Sequence, residues 1–185
     1  MSEPFSRFVG EIPDNYDEGL GPQIFVDYAE DLAARVAATQ PKDVFELAAG
    51  TGIVTRRLRD ALSSECNLIA SDLNAPMLEV ARKKFQPAEA ITFQEVDAMN
   101  LPFDDASFDV IACQFGVMFF PDKPASFREA RRAIRAGGRY LFNVWDAMEA
   151  NAYSMIAYET AATFFEEDPP SFYKLPFSYH DVDEI

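Results

Sequence analysis

Basic residues are scarce. Sixteen lysines and arginines stand against 31 aspartates and glutamates in 185 residues, a formal net charge of -15. That balance argues against a nucleic-acid substrate, because phosphate contacts need a lysine and arginine footprint. The one basic cluster, "REARRAIR" from Arg128, falls on a predicted helix beside acids and reads as a solvated face. Cysteine is limited to Cys66 and Cys113, with no C-x-x-C pair, so neither a disulfide framework nor a zinc site is supported and reduced, buried thiols are expected. No apolar run is long enough to span a bilayer, and the opening "MSEPFSRFVGEIPD" carries acids and prolines in place of an apolar leader. These absences predict a cytoplasmic protein with no metal and no membrane or nucleic-acid partner.

What is present is a globular composition, 49% hydrophobic and 14% aromatic, with enough chain for one sizeable core. The stretch "DVFELAAGTGIVTRRL" from Asp43 carries the first motif. "VFEL" reads as a buried strand, and Ile53, Val54, Leu58, Ala61 and Leu62 recur at helical spacing, which puts Gly50 and Gly52 in a strand-to-helix turn. Such a turn offers bare backbone N–H groups at the positive end of a helix dipole. A dinucleotide fingerprint would need a third glycine where Thr55 stands. Glu46, near the strand end, would repel a pyrophosphate and suits a ligand with an ammonium or sulfonium group.

Strands and helices then alternate. "NLIASDL" is a second strand ending in Asp72, and "NAPMLEVARKKF" a helix with Asn74 as N-cap and Pro76 in its first turn. "AITFQEVDA" is a third strand, "LPFDDASFDVIACQF" a polar turn into a fourth, and Asp122 with Pro124 opens the helix "KPASFREARRAIRA". Gly137 and Gly138 are read as its stop, with "RYLFNVWD" as a fifth strand. The pattern predicts an α/β fold, a doubly wound, mainly parallel sheet with helices on both faces. "PQIFVDYAEDLAARVAA", helical in period, is expected across the sheet or over the ligand.

Ligands of such sheets bind beyond the carboxyl ends of the strands. Glu46, Asp72 and Asp97 fall at the ends of the first three. Asp72, twenty residues after Gly52, can accept both hydroxyls of a ribose. Asp97 can accept from an exocyclic amine, with Leu73 and Met99 as apolar surface for a flat base. Taken alone, Asp72 reads equally as a helix cap and Asp97 as a loop acid.

The motifs "FELAAGTG", "ASDLNAPML", "VDAMNLPFDDASFDVIACQFGVMFFPD" and "AIRAGGRYLFNVWD" together resemble a class I S-adenosylmethionine-dependent methyltransferase, with a Rossmann-like fold. Within that class the chain is similar to the type 11 small-molecule enzymes grouped with ubiquinone and menaquinone biosynthesis. The resemblance implies S-adenosyl-L-methionine as cofactor, with Glu46, Gly50 and Gly52 bordering its methionine part and Ala48 and Thr51 among the cofactor-binding residues. It implies Asp72 at the ribose, Asp97, Ala98 and Met99 at the adenine, and Gln114, Phe115 and Gly116 along the cleft after the fourth strand, with Leu73 and Met77 also among the cofactor-binding residues. Ala48 stands where the family usually has glycine.

No catalytic base announces itself. His180, the only histidine, lies in "FSYHDVDEI" beyond the matched motifs and reads as structural. The aromatic stretches "QFGVMFFPD" and "AYSMIAYETAATFFEEDPPSFYKLPF" point to a small, apolar or aromatic methyl acceptor, and equally to helix packing. Three regions are expected: a helical segment over the cofactor at 1–40, the cofactor-binding core at 41–146, and an aromatic-rich cover at 147–185. The resemblance implies seven strands, yet only five are counted before "HDVDEI" ends the sequence in what reads as a helix start, so C-terminal strands are expected to be missing and self-association to follow. Two rival readings stay open: a nucleoside-binding module without turnover, and an NAD-dependent oxidoreductase, which lacks a Y-x-x-x-K pair after the fourth strand.

Overall fold

The computed structural model describes residues 10, 12–165 and 173–185. Five parallel strands form one sheet in the order β3-β2-β1-β4-β5: β1 Asp43–Glu46, β2 Asn67–Asp72, β3 Ile91–Glu95, β4 Phe108–Gln114 and β5 Ile134–Asn143. The helices are α1 Ile12–Asn15, α2 Val26–Ala37, α3 Ile53–Ala61, α4 Ala75–Arg82, α5 Lys123–Ala133 and α6 Ala152–Ala162. Strand order reverses between β1 and β4, where a cleft opens at the carboxyl ends.

Residues alternate across the sheet with period two and feed two cores. Val44, Val110 and Ala112 pack with Ala29, Leu32, Ala33 and Val36 of α2 and Val54 and Leu58 of α3. Phe45, Ile111 and Cys113 face the other way, among Ala130 and Ala133 of α5, Phe108 and Phe115. Both central strands are therefore buried on both faces, as a doubly wound sheet requires.

The crossover from β3 to β4 carries no helix. Val96, Ala98 and Leu101 fill that core directly. Arg132 of α5 fixes the crossover by donating to the carbonyls of Phe103 (2.7 Å) and Leu101 (3.0 Å), while Leu101 N–H donates to Glu129 (2.9 Å). The basic cluster is thus partly structural, since Arg135 also joins Asp43 and Asp109 at the far end of the sheet.

Several boundaries differ from the sequence reading. The helix begun by Asp122, whose carboxylate accepts from Ala125 N–H at 2.8 Å, ends at Ala133, and β5 starts at once. Gly137 and Gly138 lie inside β5 at a register shift against Phe108 and Val110, so they build a bulge and do not stop the helix. Asn74 stands at the N-cap of α4 without capping through its side chain, which donates to Asp72 instead. The helical run before α2 is π-helical over Tyr16–Phe25, and "HDVDEI" forms a turn. Part of the aromatic stretch after β5 lies outside the described residues.

Candidate cofactor site

At the end of β1 the backbone splits between its two neighbours. Leu47 N–H donates to Ala112 of β4 (2.8 Å) and Ala49 N–H to Ser71 of β2 (2.8 Å). The chain then turns through Ala48 (φ 53°), Gly50 (φ 56°) and Gly52 (φ 81°), all in the left-handed region. Gly50 and Gly52 accept that conformation freely, whereas Ala48 pays a steric penalty.

The turn forms the floor of a small cavity lined by Tyr16, Phe25, Ala48, Ala49, Gly50, Thr51, Ile53, Val54 and Gln114. Tyr16 and Phe25, from the π-helical segment, are its roof, with rings stacked at 5.3 Å. Gln114 Nε2 donates to the Phe25 carbonyl at 3.1 Å and ties that roof to the end of β4.

Two polar atoms at this cavity are buried with no hydrogen-bond partner: Thr51 Oγ1 and Gln114 Oε1. Buried polar groups are nearly always paired, so an orphaned pair in one cavity points to a polar ligand there. Among the described residues no group of histidine, cysteine and carboxylate side chains could hold a metal ion.

Asp72 is firmly placed beside the turn. One carboxylate oxygen accepts from Gly50 N–H at 2.9 Å, the other from Asn74 N–H at 2.8 Å and Asn74 Nδ2 at 3.2 Å. Burial raises its pKa against these hydrogen bonds. Each oxygen keeps further acceptor capacity for a ligand hydroxyl. Tyr16 feels the same surroundings: burial first, then the charges of Asp72 and Asp17, push its phenol pKa up.

Glu46 lies beneath the floor and not in it. It is 1% exposed, and its Oε2 accepts from Thr55 Oγ1 at 2.6 Å. Burial pushes its pKa up to about 8, the Thr55 hydrogen bond opposes that, and Asp72 adds to it. Its side-chain contact is with Thr55 of helix α3.

Of the residues singled out from the sequence, the cavity gathers Ala48, Gly50, Thr51 and Gln114. Met77 supports the turn from below, with its methyl 3.5 Å from where a Cβ on Gly50 would sit. Gly52 is pressed against α4, since a Cβ there would lie 2.9 Å from that of Ala81. Leu73, 57% exposed, follows Asp72 as available apolar surface. Asp97 sits two residues beyond β3, its Oδ1 accepting from Met99 N–H at 2.9 Å, with Ala98 buried. Phe115 (φ 51°) leaves the cavity edge at Gln114 and stacks flat on Trp145 at 3.9 Å. His180 is exposed, and its Nδ1 pairs with the Phe177 carbonyl at 2.7 Å. Tyr16, Phe25 and Trp145 were not singled out, because only tertiary packing brings them here.

The family described as a methyltransferase domain matches residues 45–142. A demethylmenaquinone methyltransferase of Deinococcus radiodurans is 36% identical over 110 residues, covering 59% of this chain and 45% of that protein. A ubiquinone/menaquinone biosynthesis C-methyltransferase of Bartonella henselae is 36% identical over 101 residues, covering 53% and 39%. The chain thus spans less than half the length of these curated relatives. A crystal structure assigned to the S-adenosyl-L-methionine-dependent methyltransferases, from Methanococcus maripaludis, superposes with a TM-score of 0.68 at 21% identity over 89% of this chain and 77% of its own. With the match running from β1 into β5, over more than half of the sequence, the chain belongs to the methyltransferase domain family and has the Rossmann-like class I methyltransferase fold.

Proposed function

We propose that the protein binds S-adenosyl-L-methionine at the β1–β4 cleft and directs methyl transfer to a small apolar or aromatic acceptor of the quinol type. The observation that carries the reading is the orphaned pair Thr51 Oγ1 and Gln114 Oε1 in a cavity floored by the glycine turn. The acceptor class is supported by the relatives' names, demethylmenaquinone and ubiquinone/menaquinone methyltransferases.

When bound, the cofactor supplies a methyl group on a sulfonium, open to in-line displacement that leaves a neutral thioether. The chain's own residues then bind and align. Asp72 accepts from the ribose hydroxyls, already held by Gly50 and Asn74. Asp97 accepts from the adenine amine, with Leu73 and Met99 against the base. Thr51 and Gln114 take the polar groups of the methionine part. Tyr16 and Phe25 exclude water from above.

Among the described residues, the one titratable side chain lining the cavity is the Tyr16 phenol, whose pKa burial pushes up. An acceptor carbon activated by an adjacent ionised hydroxyl needs no general base for the displacement, and the proton that its carbon releases afterwards passes to solvent. Residues 1–40 supply the roof in this reading, and residues 147–185 the cover over the acceptor. Both cysteines are free and buried, as suits the cytoplasm. Among the described residues no helix is long and apolar enough to cross a membrane.

The test is a methylation screen with S-adenosyl-L-methionine over quinols, phenols and small amines, read by mass. A quinol gaining one methyl group on carbon is the expected product. Methylation of amines alone would overturn the acceptor class.

A further inference from the structure

We infer that the methyl acceptor's ring stacks on the outer face of Trp145, beside the cofactor cavity, with the indole N–H directed to an oxygen on that ring; this subsite rests on the aromatic acceptor class proposed above.

Trp145, the chain's single tryptophan, lies two residues beyond β5 at the carboxyl edge of the sheet. Its inner face is taken. The Phe115 ring lies 3.9 Å away with an angle of only 2° between the planes. Phe115 is itself held at φ 51°, a costly conformation for a bulky residue, and its N–H donates to both the carbonyl (3.1 Å) and Oδ1 (3.2 Å) of Asn143. Backbone strain that its surroundings hold in place concentrates at ligand sites. Here it fixes the plane of the indole.

The outer face is different. Tyr28 of α2 stands 5.2 Å from Phe115 and 5.4 Å from Trp145, close to perpendicular to both. Nearly equal distances to two stacked rings put Tyr28 beside the stack and on neither face. Phe25 also lies alongside, at 5.8 Å and 6.3 Å, and it lines the cofactor cavity. Phe177 approaches Trp145 at 6.3 Å but tilted by 48°, so among the described residues no ring stacks on the outer face. Nor, among the described residues, does any group accept from the indole N–H. Trp145 is only partly buried and Tyr28 is 48% exposed, so this aromatic corner reaches the surface.

A flat ring placed there meets a preorganised aromatic plane, with Tyr28 at its side, and shares the Phe25 wall with the cofactor. An N–H donating to a ring hydroxyl favours the ionised form of that hydroxyl. That is the form that needs no base for the displacement. An aliphatic amine gains neither contact.

The experiment uses the fluorescence of Trp145, which no other tryptophan obscures. The unaltered protein, loaded with S-adenosylhomocysteine, is titrated without oxygen with naphthoquinol and, as a ring without π electrons, with cyclohexanediol. Saturable quenching by naphthoquinol alone is the expected result, with an apparent affinity about threefold weaker in Tyr28→Ala. In methylation assays Trp145→Leu should raise the KM for the quinol about tenfold with little change in kcat, and Trp145→Phe, which keeps a flat ring without the N–H, should raise it less. Both variants should bind S-adenosylhomocysteine as the unaltered protein does, whereas a merely structural role would weaken that binding together with thermal stability. Quenching that is absent, or that rises without saturating, would overturn the subsite. Quinol methylation with an unchanged KM in both variants would overturn it too and leave the acceptor class standing. Binding of S-adenosylhomocysteine without methylation of any quinol would overturn the acceptor class and the subsite with it.

Discussion

Ala48 carries a left-handed backbone at a position where the family usually has glycine, and the cost is local. Its Cβ also faces Gly116, where an added Cβ would come within 2.5 Å of it. Ala48→Gly is expected to stabilise the fold by ~1 kcal/mol, by relieving the positive φ at some cost in chain entropy. Thermal unfolding checks this, and a lower midpoint would contradict it. Glu46 makes stability depend on pH. In the folded protein it keeps its proton up to about 8, while the unfolded chain loses it near the ordinary 4.5. Its contribution is therefore full below about 4.5 and declines as pH rises toward 8, and Asp72, shifted in the same direction by burial, adds to the decline. Unfolding midpoints of the ligand-free protein should fall across that window, and Glu46→Gln should flatten the fall; an unchanged slope would mean that Glu46 ionises normally. The placement of Asp72 at the end of β2 and of Asp97 just beyond β3 was legible because acids that follow apolar runs mark strand ends. The partner of Glu46 was not legible, since a carboxylate at a strand end faces a ligand or a helix according to packing alone, and here Thr55 donates to it.

At the scale of elements, the strands were readable because buried parallel strands are apolar runs, and α3 and α4 because their turns repeat every three or four residues. The end of α5 was not. "RAGGRY" carries the glycines of a helix stop, yet the register of β5 against β4 uses them as a bulge. Gly138 shows why: a Cβ there would lie 2.6 Å from the Asp109 carbonyl oxygen. Gly138→Ala should cost roughly 1 to 3 kcal/mol, the usual price of forcing an atom into packed structure, whereas Gly137→Ala meets open space and is opposed only by its φ of 84°. Urea titration of the two variants separates these effects, and equal losses would argue against the bulge. A helical segment over the cleft was expected at 1–40, but its individual cavity residues were not legible. Nothing local in "NYDEGLGPQIF" marks Tyr16 and Phe25 as cavity residues, because the contact forms only when a segment preceding β1 folds across the end of the sheet.

For the molecule as a whole, the described sheet leaves the outer edge of β5 without a neighbouring strand, and such an edge is a template for pairing with another chain. A net charge of -15 opposes that pairing at low salt. Sedimentation should therefore show association that grows as salt is added, and a monomer at every ionic strength would show that the edge is protected. The central claim concerns the cleft where strand order reverses. Calorimetric titration of the unaltered protein and of Asp72→Ala with S-adenosylhomocysteine and with NADH tests it most directly. Binding of S-adenosylhomocysteine that is tighter than that of NADH, and at least about tenfold weaker in Asp72→Ala after loss of two charge-assisted hydrogen bonds, is the predicted result. Tighter binding of NADH by the unaltered protein would contradict it.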